Sequence, residues 1–183
     1  MSLPTQDTPT LYGKISRIAH WGGALLVLGL LAVGLYFEEL PKGDLRKSVK
    51  ALHISVGALV WVLLIARILW RVRQNLAGNT PRPLSPAGWQ LWAERGVHIG
   101  LLLVLTGLLF SGPAIVWSDG KAIQVFNLFA IGSPMAENHD LHEGLEEAHE
   151  VLANLLIVLL LAHIAGALRH GLTSLRRISG PVR

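Results

Sequence analysis

The chain has 183 residues, of which 51% are hydrophobic and 15% charged, with a formal net charge of +4 and a mean hydropathy of +0.47. Because an average soluble domain has about 25% charged residues, this composition indicates a membrane protein. The absence of cysteine excludes disulfides, iron–sulfur clusters and thioether-linked haem, so any haem would be of the b type, held by axial ligands and packing.

Four long apolar stretches predict four transmembrane helices, at residues 15–37, 52–70, 97–117 and 149–168. Each is long enough to cross the hydrocarbon core once. Residues 1–13 are mostly polar and no cleavage-site pattern follows the first stretch, so we expect that stretch to be a permanent span. The sequence therefore predicts an all-α membrane protein, in which residues 1–183 form one domain built on a four-helix transmembrane bundle.

Two connections between the predicted spans are distinctive. Residues 74–88 contain three prolines and two glycines, which predicts an irregular loop. Residues 118–148 form a long connection, in which the segment 125–129 is apolar enough to lie over the bundle. The acidic residues 137–150 are expected to extend the fourth helix beyond the membrane.

The charged residues predict the orientation of the chain. Eleven of the 16 basic residues fall on the side of the two termini, and ten of the 12 acidic residues fall on the other side. The positive-inside rule then places both termini in the cytoplasm. We call the terminal side the inner side and the opposite side the outer side.

Four histidines lie at two matched depths in the predicted spans. His149 and His163 are 14 residues apart, close to four helical turns, so they share a helix face and are separated by about 21 Å along the axis. His20 matches the depth of His163, and His53 matches that of His149. Neutral imidazoles bind iron well. We therefore predict two b haems, one held by the inner pair (His20 and His163) and one by the outer pair (His53 and His149). A single histidine near a helix end is more often an interface residue, but four at two depths favour ligation.

Glycines follow three of these histidines at helical spacing. On a helix, positions three and four apart share a face, and a missing side chain lets a flat macrocycle approach the backbone. Close packing between transmembrane helices is the alternative role for such glycines. The three are Gly23, Gly57 and Gly166.

Basic residues near the histidines are candidates for binding haem propionates or an anionic substrate. Arg67 lies 14 residues after His53, which places it on the same helix face at the inner depth, where it would bind a propionate or a quinone carbonyl. The alternative is that Arg67 extends to the nearby interface. The other candidates are Arg17 beside His20, and Lys42, Arg46, Lys47 and Lys50 before His53.

The remaining histidines have secondary roles in this interpretation. His98 is the main rival of His20 as the inner ligand, and we rank it instead as a quinone-site residue or a neighbour of the ligands. His170 lies beyond the apolar run and is a second quinone-site candidate. His139 and His142 lie among acidic residues, where a divalent-metal site is possible but a solvated acidic helix end is favoured.

Several motifs resemble those of the bacterial cytochrome b561 family, and the likeness covers about residues 11–180. They are Ala19-His20-Trp21, Leu52-His53-Ile54-Ser55-Val56-Gly57, Arg67-Ile68-Leu69-Trp70-Arg71, Ala148-His149-Glu150-Val151-Leu152-Ala153-Asn154 and Ala162-His163. The resemblance implies a four-helix inner-membrane bundle with two b haems, ligated by His53 and His149 on the periplasmic side and by His20 and His163 on the cytoplasmic side. It also implies electron exchange with ubiquinone, and superoxide oxidation at the periplasmic face as the activity.

The sequence thus predicts a superoxide:ubiquinone oxidoreductase of the bacterial inner membrane, with no catalytic side chain beyond the haem ligands. Its expected partners are lipid, ubiquinone, and either superoxide or a periplasmic redox protein, and not nucleic acid. Two alternatives remain: a quinone-linked cytochrome b subunit serving a separate dehydrogenase or hydrogenase, and a cation or proton transporter that uses the membrane histidines. The ten acidic residues on the outer side oppose attraction of an anion, so superoxide would have to be steered locally near His53.

Overall fold

The computed structural model describes residues 4–85 and 88–179. Pro86 and Arg183, which the loop and orientation predictions include, lie outside these residues. The described part of the chain contains four long helices, all apolar enough to cross a membrane. They are α1 (Lys14–Glu39), α2 (Asp44–Leu76), α3 (Trp89–Ser118) and α4 (His139–Ser179).

Each predicted span lies inside one helix, and the helices are longer than the apolar runs because polar turns extend them. α2 begins at Asp44, whose carboxylate suits the positive end of the helix dipole. α4 begins at His139, where the side chain of Asn138 accepts a hydrogen bond from the Leu141 amide at 3.0 Å and caps the helix. This confirms that the acidic segment extends the fourth helix.

The boundaries of the predicted loop at 74–88 need correction. α2 continues to Leu76, so the first three residues of that segment are helical. The helix ends where Gly78 takes a positive φ of 69°, a conformation that glycine adopts without steric cost. α4 is interrupted at Gly171, with φ 54° and ψ −137°, directly after His170.

A short hairpin between α3 and α4 was not predicted as β structure. Strands β1 (Ile123–Val125) and β2 (Phe129–Ile131) pair antiparallel through a turn in which Phe126 and Asn127 both have positive φ. The Ser55 hydroxyl of α2 donates to the Gln124 carbonyl at 3.0 Å and accepts from the Phe126 amide at 3.1 Å. The segment 125–129 is therefore part of a hairpin that is fixed to α2.

The described residues form two compact units. The first unit contains residues 4–24, 63–85, 88–102 and 157–179, and the second contains residues 25–62 and 103–156, so every helix contributes a segment to each. In the second unit α3 and α4 approach closely where Gly107 faces Leu152, since a Cβ on the glycine would lie 2.8 Å from a leucine methyl. Small residues at such crossings allow tight packing of apolar helices.

Candidate functional site

The first unit brings together three imidazoles and a guanidinium. The rings of His20 and His163 are 6.2 Å apart between centroids, and those of His98 and His163 are 5.2 Å apart. The Arg67 guanidinium donates a hydrogen bond to His20 Nδ1 at 3.2 Å. The predicted inner pair is thus assembled, with His98 and Arg67 beside it.

The spacing of these rings distinguishes His20 from its rival His98. A metal–imidazole nitrogen bond is about 2 Å long and the ring centroid lies roughly 1 Å behind that nitrogen, so imidazoles on opposite sides of one metal have centroids about 6 Å apart. His20 and His163 meet this spacing. The centroids of His98 and His163 are 5.2 Å apart, which is shorter than this spacing.

Arg67 points into the first unit towards His20 and does not extend only to the interface. Gly23 makes room for it, since a Cβ there would lie 3.0 Å from Arg67 Nη1. A guanidinium can only donate, so His20 Nδ1 is the acceptor and its ring proton is on Nε2. Binding of iron by Nε2 requires that proton to move to Nδ1, and Arg67 must then release His20.

The second unit holds the predicted outer pair. The imidazoles of His53 and His149 are close enough to interact electrostatically. A glycine on a neighbouring helix faces each ring: a Cβ on Gly34 would lie 3.3 Å from His53 Cε1, and a Cβ on Gly112 would lie 3.6 Å from His149 Cε1. Phe37 packs edge-on against His53, with ring centroids 5.6 Å apart. Both imidazoles are therefore positioned by close neighbours.

Ser111 contacts the imidazole of His149. Its hydroxyl is 2.7 Å from His149 Nδ1 and is oriented to donate to the Leu108 carbonyl, 3.5 Å away. In the tautomer that carries its proton on Nδ1, His149 donates to the serine oxygen, and the lone pair of Nε2 is left for a metal. Ser111 is thus placed to orient His149 as an iron ligand.

We expect Ser111→Ala to weaken binding of the outer haem by about 10–100-fold, the usual cost of removing a residue that orients a metal ligand. Haem content after exhaustive washing, measured per polypeptide, checks this. Ser118→Ala is the matched control, because Ser118 is also buried in α3 but donates to the Ile115 carbonyl. Equal haem retention in the two variants would contradict the role of Ser111.

The surroundings of His53 suit an apolar macrocycle. A cavity of about 200 Å³ lies beside it, and the side chains that line the cavity are otherwise aliphatic. His53 Nδ1 is buried and has no hydrogen-bond partner among residues 4–85 and 88–179. With the contact between Ser111 and His149 and the ring spacing of the inner pair, these features fit b-type haem.

The three predicted glycines are placed differently. Gly23 faces Arg67, whereas Gly57 and Gly166 have no described atom within 4 Å of the position that a Cβ would take. Sequence reasoning missed Gly34 and Gly112, which face the outer histidines. A signal for them existed, since Gly34 follows His20 by 14 residues and Gly112 follows His98 by 14, the same step that links His53 to Arg67.

The quinone-site candidates belong to a polar cluster in the first unit. His170 Nε2 is 3.3 Å from the Ser85 hydroxyl, and the Ser85 amide donates to the Glu94 carboxylate at 3.0 Å. His98 Nδ1 donates to the Glu94 carbonyl at 2.7 Å. The cluster offers an imidazole and a hydroxyl that can both donate and accept hydrogen bonds.

Most cations on the outer side are paired with acids. Lys47 and Lys50 are the residues predicted to bind substrate. The Lys47 ammonium lies 3.4 Å from the Asp44 carboxylate, and the Lys50 ammonium lies 3.5 Å from the Glu146 carboxylate. Arg46 pairs with Glu38, and Lys121 pairs with Asp119, whose pKa is lowered by this hydrogen bond. Four of the five outer cations therefore have their charge offset by a neighbour.

His139 and His142 lie in the first turns of α4. They face Glu143 and Glu146, each at 3.3 Å, and His142 Nδ1 also donates to the Ile115 carbonyl at 2.9 Å. Within the described part of the chain, no group of three or more histidine, aspartate or glutamate side chains is arranged to hold a metal ion. The geometry agrees with the acidic helix end.

Comparisons with known proteins show what this chain is similar to. A family model for prokaryotic cytochrome b561 matches residues 11–180. The chain is similar to cytochrome b561 homolog 2 of Escherichia coli (strain K12), with 34% identity over 165 residues, 90% of this chain and 86% of that protein. It is also similar to a Yersinia pestis protein named probable superoxide oxidase CybB, with 30% identity over 158 residues, 82% of this chain and 83% of that protein.

Proposed function

Because the chain belongs to the prokaryotic cytochrome b561 family, whose members are membrane proteins that bind b-type haem, we propose that it is a two-haem cytochrome linking an outer one-electron donor to quinone. The observation that carries this proposal is the placement of the four histidines: the rings of His20 and His163 face each other in the first unit, and His53 and His149 both lie in the second. Iron and protohaem assays should find two equivalents per fully loaded polypeptide. Fewer would contradict the proposal.

The chain's own residues position the cofactors and limit their chemistry. Bound haem supplies one-electron transfer. His20 and His163 would hold one haem and His53 and His149 the other, and two histidine ligands per iron would favour electron transfer over activation of oxygen at an open site. Ser111 orients His149, and Gly34 and Gly112 admit the outer imidazoles. In this proposal Arg67, released from His20, donates to a propionate or a quinone carbonyl.

The quinone is proposed to bind at the polar cluster of the first unit. His170 and Ser85 would hydrogen bond to one quinone oxygen, with His98 nearby as a further candidate. Reduction of quinone takes up two protons, and imidazole can deliver them near neutral pH. The excess of basic residues at the terminal side supports placing this unit towards the cytoplasm, with both termini inside and the protein in the inner membrane.

Superoxide is the donor we propose first, because a relative is named for superoxide oxidation. Two superoxide anions would each lose one electron to give dioxygen, while one quinone gains two electrons and two protons to give quinol. We expect purified protein with ubiquinone to accelerate superoxide decay in stopped-flow absorbance, with quinol formed in step. The His149→Leu protein is the control. No acceleration over buffer would exclude this activity and leave the electron-carrier function standing.

The charge of the outer surface favours a second donor. Four of the five outer cations are paired, so most of the ten outer acids are not offset and repel an anion. A basic periplasmic redox protein, or a dehydrogenase or hydrogenase subunit, would be attracted to this surface. Co-purification with such a partner, lost at high salt, would support this candidate. The transporter alternative predicts a colourless protein, which membership of a haem-binding family does not support.

A further inference from the structure

Residues 4–13, the N-terminal segment, fold back on the first unit. The Lys14 amide donates to the Pro4 carbonyl at 2.8 Å, and the Gly13 amide donates to Asp7 Oδ1 at 2.8 Å. The Arg82 amide donates to the Pro9 carbonyl at 3.1 Å, which ties the segment to the connection after α2. A stretch that the sequence marks only as polar is therefore an ordered part of the molecule.

This segment encloses Arg17, which has no acidic partner among the residues that the structure describes. Arg17 is only 5% exposed, and its Nε donates to the Tyr12 carbonyl at 2.7 Å. Its Nη1 and Nη2 are buried without a hydrogen-bond partner in the described ranges 4–85 and 88–179. The guanidinium of Arg71 lies over the Tyr12 ring, 5.5 Å from its centroid, and its Nη1 is 3.6 Å from Asp7 Oδ2.

The charges of this group do not balance. Arg71, whose side chain is 43% exposed, pairs with the buried carboxylate of Asp7, whereas the buried guanidinium of Arg17 has no acidic partner among residues 4–85 and 88–179. Burying an arginine without an anion is unfavourable, because the charge loses its hydration and gains no compensating interaction. A planar guanidinium with two free nitrogens binds a carboxylate through two parallel hydrogen bonds. Within the described part of the chain, Arg17 thus lacks a carboxylate.

Its position identifies the source of that carboxylate. Arg17 precedes His20 by three residues and Arg71 follows Arg67 by four, so each lies one helical turn from the contact between His20 and Arg67. We propose that the N-terminal segment, Arg17 and Arg71 form a pocket that binds a propionate carboxylate of the haem held by the inner pair, an inference that rests on the proposed function. Asp7 and Tyr12 are its positioning residues.

Gly13 allows this pocket to be tested without a change of charge. A Cβ at Gly13 would lie 2.4 Å from the carbonyl carbon and oxygen of Gln6, which are backbone atoms and must shift. Gly13→Ala is therefore expected to displace the N-terminal segment. Gly22→Ala is the matched control, because Gly22 is in α1, is exposed, and has no described atom within 4 Å of a Cβ.

The experiment measures haem per polypeptide and the two midpoint potentials by spectroelectrochemical titration, with His20→Leu identifying the inner haem. In Arg17→Gln we expect the inner haem to dissociate about 10–100-fold more readily, from the loss of hydrogen bonds to a charged group. Its midpoint potential should fall, because a cation beside the propionate favours the reduced form. Gly13→Ala should weaken retention in the same way, and Arg17→Lys should keep the potential close to that of the parent.

The outer haem reports whether each variant has folded, since its content and potential should not change. Inner haem that is equally retained, at an unchanged potential, in Arg17→Gln, Gly13→Ala and Gly22→Ala would overturn the inference. Loss of a co-purified phospholipid without any change in haem would assign the pocket to a phosphate and also overturn it. If the parent protein binds fewer than two haems, the proposed function fails instead, so the two failures are distinguishable.

Discussion

Leucine in place of His53 or His149 is expected to remove the outer haem and leave the inner one, and leucine in place of His20 or His163 is expected to do the reverse. Each substitution removes one of two axial nitrogens, and leucine fills much of the same volume without a lone pair. Low-temperature reduced-minus-oxidised spectra and haem per polypeptide measure the loss. The remaining haem in each variant shows that the protein has folded.

Substitution of His98, the rival of His20 as inner ligand, tests whether the inner pair is assigned correctly. His98 is exposed and meets His163 edge-on, whereas the His20 centroid lies at the distance that ligation of a shared metal requires. We therefore expect His98→Leu to retain both haems and to alter only the reaction with quinone. Loss of a haem in His98→Leu, with both retained in His20→Leu, would show that the inner pair is assigned wrongly.

The helices could be predicted from the sequence because the bilayer sets their length. Each apolar run that fits the hydrocarbon core lies inside one helix of the structure. Their polar extensions, such as the start of α2 at Asp44, depend on capping and on contacts outside the membrane, which apolar length does not report. The hairpin was missed because strands of three residues are too short for a periodic signal, and its turn contains Phe126 and Asn127, without the glycine that usually marks one.

The histidine pairs could also be predicted, because residues 14 apart return to the same face of a helix. The same step places Gly34 after His20 and Gly112 after His98. Applied to all four helices, it predicts that glycines face the outer histidines, as the structure shows. The prediction considered only glycines on the same helix as each histidine, which are Gly23, Gly57 and Gly166. It therefore missed Gly34 and Gly112, which face the outer histidines from neighbouring helices.

The surroundings of Arg17 could not be predicted from a periodic sequence pattern. Its burial depends on residues 4–13 folding back, which requires Asp7 to accept from the Gly13 amide and Gly13 to lack a Cβ. These contacts join residues whose spacing follows neither a helical nor a strand period. Only tertiary structure shows that a basic residue next to a helix start is enclosed, with no acid beside its guanidinium among the described residues.

Gly34→Leu is also expected to remove the outer haem. Even a Cβ at this position would lie 3.3 Å from His53 Cε1 and 3.6 Å from His53 Nδ1, and the rest of a leucine side chain would occupy the space of the imidazole. Overpacking of this kind costs about 1–3 kcal/mol and is relieved most easily by moving the histidine. Haem content and the loss of one of the two spectral components measure the result.

Gly22→Leu separates this steric effect from the general effect of replacing a helical glycine. Gly22 and Gly34 both lie inside α1, so the change in helix propensity is the same, but Gly22 is exposed and has no described atom within 4 Å of a Cβ. We expect Gly22→Leu to keep both haems and Gly34→Ala to lose only part of the outer one. If Gly34→Leu kept the outer haem in full, His53 would have room to move without losing its ligand function, and close packing from α1 would not be what holds that imidazole in place.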